Sequence, residues 1–308
     1  MDSKLALYIL KRLLLAIATI FLVITITFFA MNAIPGGPFL SERPVTNEVL
    51  DALKAKYGLD KPLIIQYFNY LKNVVTFDFG PSIKQRGKDV MYIIFSGFKT
   101  SATIGGIAAL IAIIVGVTLG SIAAIKRNKL IDKLIMVIST SFVAMPGFII
   151  ATLFLVQFCV KWNILPPRGD TPEGLILPII ALSLYPLSYI TRLTRSSMLD
   201  VLSQDFIRTA RAKGVKKSIV IFKHALRNAI IPVLTYIGPM IAYILTGSFV
   251  IEEIFMIPGL GGAFVNSITN RDYTLIMGVT IFLASLVVIL NLITDILYKI
   301  VDPRIDFS

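Results

Sequence analysis

One cysteine, Cys159, and one histidine, His224, leave a chain of 308 residues with nothing from which to assemble a disulfide framework, a Cys/His dyad or a His-based metal cluster. No G-x-x-x-x-G-K-[ST] stretch occurs, so ATP is not bound through a P-loop. An intramembrane aspartyl protease needs two aspartates at membrane depth, and only Asp295 lies near an apolar run. These absences argue against intrinsic catalysis, and the chain is expected not to be an enzyme. Charge is also scarce: Asp, Glu, Lys and Arg make up 16% of the residues, against roughly 25% in soluble domains.

What replaces charge is apolar side chain, 56% of residues, with a mean hydropathy of +0.81. A soluble domain of this length has no core large enough to hide that surface, so the chain is read as an integral membrane protein. The net charge of +12 would suggest nucleic acid in a soluble protein. In a membrane protein, Lys and Arg collect in cytoplasmic loops and fix orientation, and nucleic acid is not expected as a partner.

A hydrocarbon core of roughly 30 Å takes about 20 apolar residues to cross. Six runs qualify: Ile9 to Met31, Ser101 to Ile125, Leu134 to Val160, Leu175 to Tyr189, Ala229 to Ile251 and Thr274 to Ile300, the fourth being the shortest. Lys4, Lys11 and Arg12 precede the first run as they would in a signal peptide. Its apolar stretch, about 19 residues, exceeds the usual 7 to 15 and no small-x-small cleavage site follows, so it is read as an uncleaved span. With six spans, those three cations, the Lys126, Arg127, Lys129 and Lys133 loop and the segment after the fourth span share one face. Both termini are therefore predicted cytoplasmic. Three regions follow: 1–32 as the first span, 33–99 as a long external loop, and 100–308 as a five-helix core.

In the external loop, Leu63, Tyr67, Tyr70, Leu71 and Val74 have helical spacing and predict an amphipathic helix at the outer interface. Gly58 is a candidate helix C-cap before it, and Phe77-Asp78-Phe79-Gly80-Pro81-Ser82 a turn after it. The loop either covers the helix ends or meets an external partner. Within the spans, Gly116-x-x-x-Gly120 predicts close helix packing, and Pro146, Pro178, Pro186, Pro232 and Pro239 are candidate kinks. Asp295, one turn from Asn291 and Lys299, is expected to snorkel or pair. Glu252 and Glu253 end the fifth span, where a carboxylate is expensive unless it faces water or a partner. They are either a hydrated helix end or part of an outer gate, with Pro258-Gly259-Leu260-Gly261-Gly262 as a loop able to approach a neighbouring chain.

The densest signal is Asp205 to Pro232. From Arg192 to Arg227 the chain carries nine Lys and Arg against Asp200 and Asp205. Asp205 to Lys213 is a plausible short helix with its carboxylate at the favourable end of the dipole, stopped by Gly214. Beyond it, Val215, Ile219, Phe222, Leu226 and Ala229 form an apolar stripe that predicts a second helix resting on the bundle, with Lys216, Lys223 and Arg227 on another face. A positive-inside loop accounts for the charges and the stripe, but not for a glycine set between two short helices.

Arg208-Thr209-Ala210-Arg211-Ala212-Lys213-Gly214, followed by His224-Ala225-Leu226, resembles the EAA loop of ABC-importer permeases, E-A-A-x3-G-x9-I-x-L-P. Arg208 stands for the Glu, Thr209 for the first Ala, His224 for the Ile and Arg227 for the Pro, departures typical of the B-type permease subunit of oligopeptide and dipeptide importers. Tyr8-Ile9-Leu10-Lys11-Arg12-Leu13, YGLDKPLIIQYFNYL, FDFGPS, Met145-Pro146 and Glu252-x-x-Phe255-x-x-Pro258-Gly259-Leu260-Gly261 are similar to the same subunit in order and spacing. The resemblance implies an all-α fold of six transmembrane helices, the type I ABC-importer permease fold, in the cell membrane. It also implies partners: a second, homologous permease subunit, two ATP-binding subunits that hold ATP and Mg, an extracytoplasmic substrate-binding protein, and membrane lipid. This chain is then expected to bind no cofactor and no metal. Asp205, Arg208, Thr209, Ala210, Arg211, Ala212, Lys213, Gly214, His224 and Arg227 are the implied contact with the ATPase subunits. Glu252, Glu253, Phe255, Pro258, Gly259 and Gly261 are the candidates for an outer gate or binding-protein contact. Nickel or another small solute is the alternative cargo, and an ATP-independent transporter the competing class.

Overall fold

The computed structural model describes residues 3–35, 37–39, 46–85 and 87–301, without the side chains of 3–7, 47, 53, 246, 247, 295 and 297–301. The ionic role expected of Asp295 and Lys299 therefore lies outside the described residues. Among the described residues there is no β-strand, only an isolated bridge between Pro81 and Asp89. This follows from the solvent: in hydrocarbon each backbone N–H and C=O must be satisfied within its own segment, and a helix does that.

By compactness the chain divides into two units, Met1–Thr100 with Gly259–Leu292, and Ser101–Pro258 with Ile293–Ser308. The first contains α1 (Ser3–Ala33), α2 (Asn47–Lys56), α3 (Leu63–Val75) and the start of α4 (Val90–Ile125). The second contains the rest of α4, then α5 (Leu130–Ala144), α6 (Gly147–Phe154) and α7 (Ile176–Leu202). It continues through α8 (Asp205–Ala212), α9 (Lys217–Ile219), α10 (Arg227–Ala229) and α11 (Ile231–Ile254). The chain then returns to the first unit with α12 (Leu260–Thr269) and α13 (Tyr273–Val301), the last turns of α13 counting with the second.

In the first unit the predicted amphipathic helix is α3, and its apolar face packs on the spans themselves. Tyr67 and Tyr70 are buried with Ile24 and Phe28 of α1 and Ile281 of α13, Leu71 and Val74 are half-buried against them, and Leu63 is left exposed. The Phe28 and Tyr70 rings stack at 5.5 Å, and the Thr25 and Tyr67 hydroxyls share a hydrogen bond of 2.7 Å. Burial pushes the Tyr70 phenol well above its ordinary pKa. Gly58 ends α2 in the left-handed region, as its position predicts. The turn at 77–82 is fastened by Asp272, which Arg271 merely neighbours. The Asp272 carboxylate accepts from the Ser82 hydroxyl, the Ile83 and Lys84 amides, the Thr274 hydroxyl and the Leu275 amide, so one buried acid both caps α13 and orders the loop.

Among the described residues, five helices are long and apolar enough to span a membrane, and the count is six if a bent pair is taken as one broken span. Three expected spans are corrected. The third is not one rod: α5 stops at Ala144, and α6 leaves at 101° to it. Met145, as the residue before a proline, is extended (φ −91°, ψ 127°), and Pro146 has no N–H to continue the ladder. The fourth is not short: α7 runs 27 residues to Leu202, so Arg192 and Arg195 lie on the helix rather than in a loop. Hydropathy missed this length because Arg192 and Arg195 interrupt the apolar run. The second span is likewise longer, beginning at Val90.

α7 is the axis of the second unit, packing against α5, α6 and α11. The Gly116 and Gly120 pair brings α4 against it. A Cβ on Gly120 would lie 2.5 Å from the Thr191 carbonyl oxygen and 2.6 Å from Thr194 Cβ, and one on Gly116 would lie 2.9 Å from the Leu187 carbonyl oxygen. The neighbour is backbone and cannot rotate away, which is the helix contact predicted from the small-x-x-x-small spacing. Gly120→Ala should destabilise the protein by about 1–3 kcal/mol, because overpacking here displaces a helix backbone. Gly106→Ala, on the same helix with nothing within 4 Å of the new methyl, should be neutral or stabilising by up to about 1 kcal/mol. Thermal unfolding of both variants in one detergent checks the contrast, and equal shifts would contradict it.

Candidate functional site

The segment after α7 folds as two short helical pieces joined at Gly214. α8 is closed by a Schellman turn: the Gly214 amide donates to the Arg211 carbonyl at 3.0 Å and the Val215 amide to the Ala210 carbonyl at 3.2 Å. This turn needs a left-handed residue, and Gly214 has φ +75°. One side chain of α8 is fully buried, Ile207, which enters a small cluster with Ala124, Met198, Val220, Ala225 and Ala229. Asp205, Phe206, Arg208, Thr209, Arg211, Ala212, Lys213 and Gly214 are exposed, and Ala210 is half-buried. Arg208 and Asp205 pair at 3.4 Å with both side chains in solvent, a contact worth at most about 1 kcal/mol. α8 is therefore a short capped helix of about two turns anchored chiefly by Ile207, with its polar face and Phe206 outward. Sequence reasoning passed over Phe206, an exposed aromatic between Asp205 and the anchor.

The second helix presents only part of the expected stripe: Val215, Leu226 and Ala229 pack inward, and Ile219 and Phe222 do not. Its buried residues are Val220, Ala225 and Ala229, with Val215, Ile221 and Leu226 half-buried, whereas Ile219 and Phe222 are 42% and 65% exposed. The cause is a π-helical stretch over Val220–Leu226 between α9 and α10. Its wider turn repeats at five residues, so Val220 and Ala225 come onto one face and a stripe counted at 3.6 drifts off it. His224 is half-buried on this stretch and Arg227, just after it, is exposed; the His224 carbonyl accepts from Asn228 Nδ2 at 2.8 Å.

One turn before Met198, Arg195 of α7 meets Asp132 of α5 in a two-pronged ion pair, Nε to Oδ1 at 2.6 Å and Nη2 to Oδ2 at 2.8 Å. The Asp132 side chain is 3% exposed, that of Arg195 24%. The Asn128 amide adds a third bond to the carboxylate at 2.9 Å, from a left-handed Asn (φ 65°) that turns the α4–α5 loop. Asp132 was missed from sequence, although a lone acid among Lys126, Arg127, Lys129 and Lys133 was the available signal.

At the far end of α11 the acids separate: Glu253 is exposed, and Glu252 is 1% exposed, so it does not face water. The helix ends in another Schellman turn, with Met256 left-handed (φ 50°) and the Ile257 amide donating to the Glu252 carbonyl at 2.8 Å. Phe255 is fully buried and its carbonyl accepts from the Gly169 amide at 2.8 Å. Pro258 is exposed. Gly259 and Gly261 are buried, the latter within α12. The close approach expected of this glycine loop is made within the chain: a Cβ on Gly97 would lie 3.0 Å from Leu260 Cα and 3.1 Å from the Gly259 carbonyl carbon. Among the described residues no group of three or more His, Cys, Asp or Glu could hold a metal ion.

An all-helical chain with several spans, one of them broken, and a capped polar helix displayed at the basic end defines a membrane transport component. The family of binding-protein-dependent transport system inner membrane components matches residues 116–307, and the family of their N-terminal regions matches residues 5–102. The dipeptide transport system permease protein DppB of Bacillus subtilis is 48% identical over 299 residues, covering 97% of each chain. The oligopeptide transport system permease protein OppB of Salmonella typhimurium is 44% identical over 303 residues, covering 97% of this chain and 99% of that one. In the crystal structure of an amino acid ABC transporter with histidines, one chain superposes with a TM-score of 0.54 at 14% identity, over 70% of this chain and 95% of that chain, which speaks to the fold. The chain belongs to the binding-protein-dependent transport system inner membrane component family.

Removing either partner of the Asp132–Arg195 pair strands a charge in a site that is largely closed to water. Asp132→Asn and Arg195→Met should each cost about 3 kcal/mol or more, and the double variant less than the sum. Thermal unfolding of the four proteins measures this, and additive losses would show that the pair is not coupled.

Proposed function

We propose that this chain is the transmembrane permease subunit of an ATP-driven importer for oligopeptides or dipeptides, forming half of the translocation pathway. The observation that carries the reading is α8: a Gly214-capped helix anchored by buried Ile207 and half-buried Ala210, with Asp205, Arg208, Thr209, Arg211, Ala212 and Lys213 outward, as a helix gripped by another subunit would be. The names of the relatives favour peptides over nickel or another solute. On this reading both termini are cytoplasmic and 33–99 is external. ATP and Mg belong to two partner ATPase subunits, which take up the 205–227 segment with His224 and Arg227 at its rim. A second, homologous permease completes the pathway, and a substrate-binding protein delivers cargo from outside. Glu253 and Pro258 are then the exposed contributors to an outer contact, with Glu252, Phe255, Gly259 and Gly261 shaping it from within.

In proteoliposomes holding the whole complex, a labelled peptide should enter only with the binding protein outside and ATP at the ATPase subunits. The chain by itself should move none. Uptake by the chain alone without ATP would replace this reading with a stand-alone transporter.

Gly214→Trp and the Arg208→Glu/Arg211→Glu double variant should insert normally yet lose peptide-stimulated ATP hydrolysis and uptake, by about tenfold or more each. That is the loss of roughly 1.4 kcal/mol of coupling contact at an interface. Unchanged stimulation and uptake in both variants would remove α8 from the coupling path.

A further inference from the structure

α3 is apolar on two sides, and the fold buries one of them. At 3.6 residues per turn, Tyr67, Tyr70, Leu71 and Val74 share the face that packs on α1 and α13. This is the stripe from which the sequence predicts an interfacial helix, and the spans cover it. Ile64, Phe68 and Val75 form a second strip, centred about 90° to one side of the first. They are 56%, 62% and 79% exposed, and Phe77, just past the helix, adds a ring 70% exposed. Gln66, Asn69 and Asn73 lie about 120° to the other side. There they border a cavity of about 150 Å³ together with Tyr57 and Thr274. Ile65 and Lys72 stand between the strip and the carboxamides.

These three directions are those of a helix lying flat at a membrane surface against the side of a bundle, with one face to protein, one to lipid and one to water. Single exposed apolar residues are ordinary on any surface, but four large ones in line on a helix outside the spans mark a contact. Phe77 is also held in the left-handed region (φ 55°), an uncommon backbone for an aromatic, and its ring is left exposed there.

The depth of α3 points to lipid. Tyr67 hydrogen-bonds Thr25 and Tyr70 stacks on Phe28, residues about 12 and 8 Å short of the α1 end at Ala33, at 1.5 Å per residue. On α13 the contact is Ile281, about 12 Å from the start at Tyr273. With 31 residues α1 is about 46 Å long, roughly 16 Å more than a hydrocarbon core. Shared between the two ends, that excess puts α3 close to the boundary between headgroups and acyl chains. The strip also continues the exposed apolar surface of a span. Leu22, Ile26 and Phe29 form an exposed line along α1, and the Phe29 and Phe68 rings lie 5.4 and 5.9 Å from the Tyr67 ring.

We propose that α3 lies in the interface of the outer leaflet, with Ile64, Phe68, Val75 and Phe77 among the acyl chains and Gln66, Asn69 and Asn73 turned to water. Only the side of the membrane is taken from the reading above; the lipid contact does not depend on it. A strip one side chain wide and about 16 Å long falls well short of the roughly 800 Å² a side of a stable protein interface, so its occupant is lipid rather than the second permease. Lys72, at the border of the strip, keeps its ammonium among headgroup phosphates while its stem lies on apolar surface. The contact holds the external region at a set depth beside α1 and α13.

In the whole complex, photoreactive benzoylphenylalanine replaces Phe68 or, separately, Asn73, in vesicles of phosphatidylethanolamine and phosphatidylglycerol with a radiolabelled fraction. Irradiation should attach lipid to the first and at most a trace to the second. A cross-link from the first to the second permease or the binding protein, or no lipid adduct on it, overturns the proposal. A second measurement uses the full chain alone, so failed assembly of a variant does not spare the proposal. Trp162→Phe/Phe68→Trp and Trp162→Phe/Asn73→Trp each keep a single tryptophan. Bromine on the upper acyl chain should quench the first strongly, as for a ring about 5–10 Å into the headgroup and acyl boundary, and aqueous iodide the second. Iodide quenching of the first, or its indifference to bromolipid, is the contrary result. Asn73→Cys in a Cys159→Ser chain reports the side separately. Labelling by a membrane-impermeant thiol reagent from the cytoplasmic face alone would reverse the orientation in the reading above and leave the lipid contact standing.

Discussion

The Asp132–Arg195 pair lets α7 carry an arginine inside a packed bundle, and the basic end of the second unit hangs from the part of α7 beyond it. Without the carboxylate, Arg195 would bring an uncompensated charge to a site where its side chain is only 24% exposed. With the pair made, α7 continues to Leu202 and carries Met198 and Leu199 into the cluster that anchors Ile207. α4 reaches the same helix through Gly116 and Gly120. α8 rests on the cluster that these contacts help assemble, through Ile207 and Ala210.

Two of the interruptions of the regular α-helix fall beside functional candidates. The Pro146 break turns one span into two legs at 101°, the second of which begins at the wall of a cavity beside Tyr185 and Tyr243. The π-helical stretch at Val220–Leu226 rotates Ile219 and Phe222 outward, where they give the basic segment an apolar edge beside Lys216 and Lys223. Both interruptions cost regular hydrogen bonds, and both place side chains where an uninterrupted helix would not.

Much of this was legible in the residues. Six apolar runs, a glycine stop at 214, a helix end at Gly58 and close packing at Gly116 and Gly120 each rest on a local rule that needs no partner in space. The unread parts depend on distant residues. Arg195 counted as loop charge because Asp132 is 63 positions away. Glu252 and Glu253 were weighed as a pair, although successive helical residues face different ways and one is buried while the other is not. The approach of Gly259 and Leu260 to the backbone at Gly97 could not be seen from their position in the sequence.

The sequence by itself determined that the chain is a helical membrane protein, where its spans lie to within a few turns, and where a capped polar helix is displayed. Apolar run length, proline chemistry and left-handed glycine are properties of the local chain in a solvent that forbids unsatisfied backbone. Tertiary structure alone decided how far α7 extends, which face the second helix buries, and that α3 packs its tyrosines on α1 and α13 and leaves a second apolar strip exposed. These are matters of which side chains meet across space, and a one-residue change of helical register or one distant counter-charge reverses them without altering the local pattern.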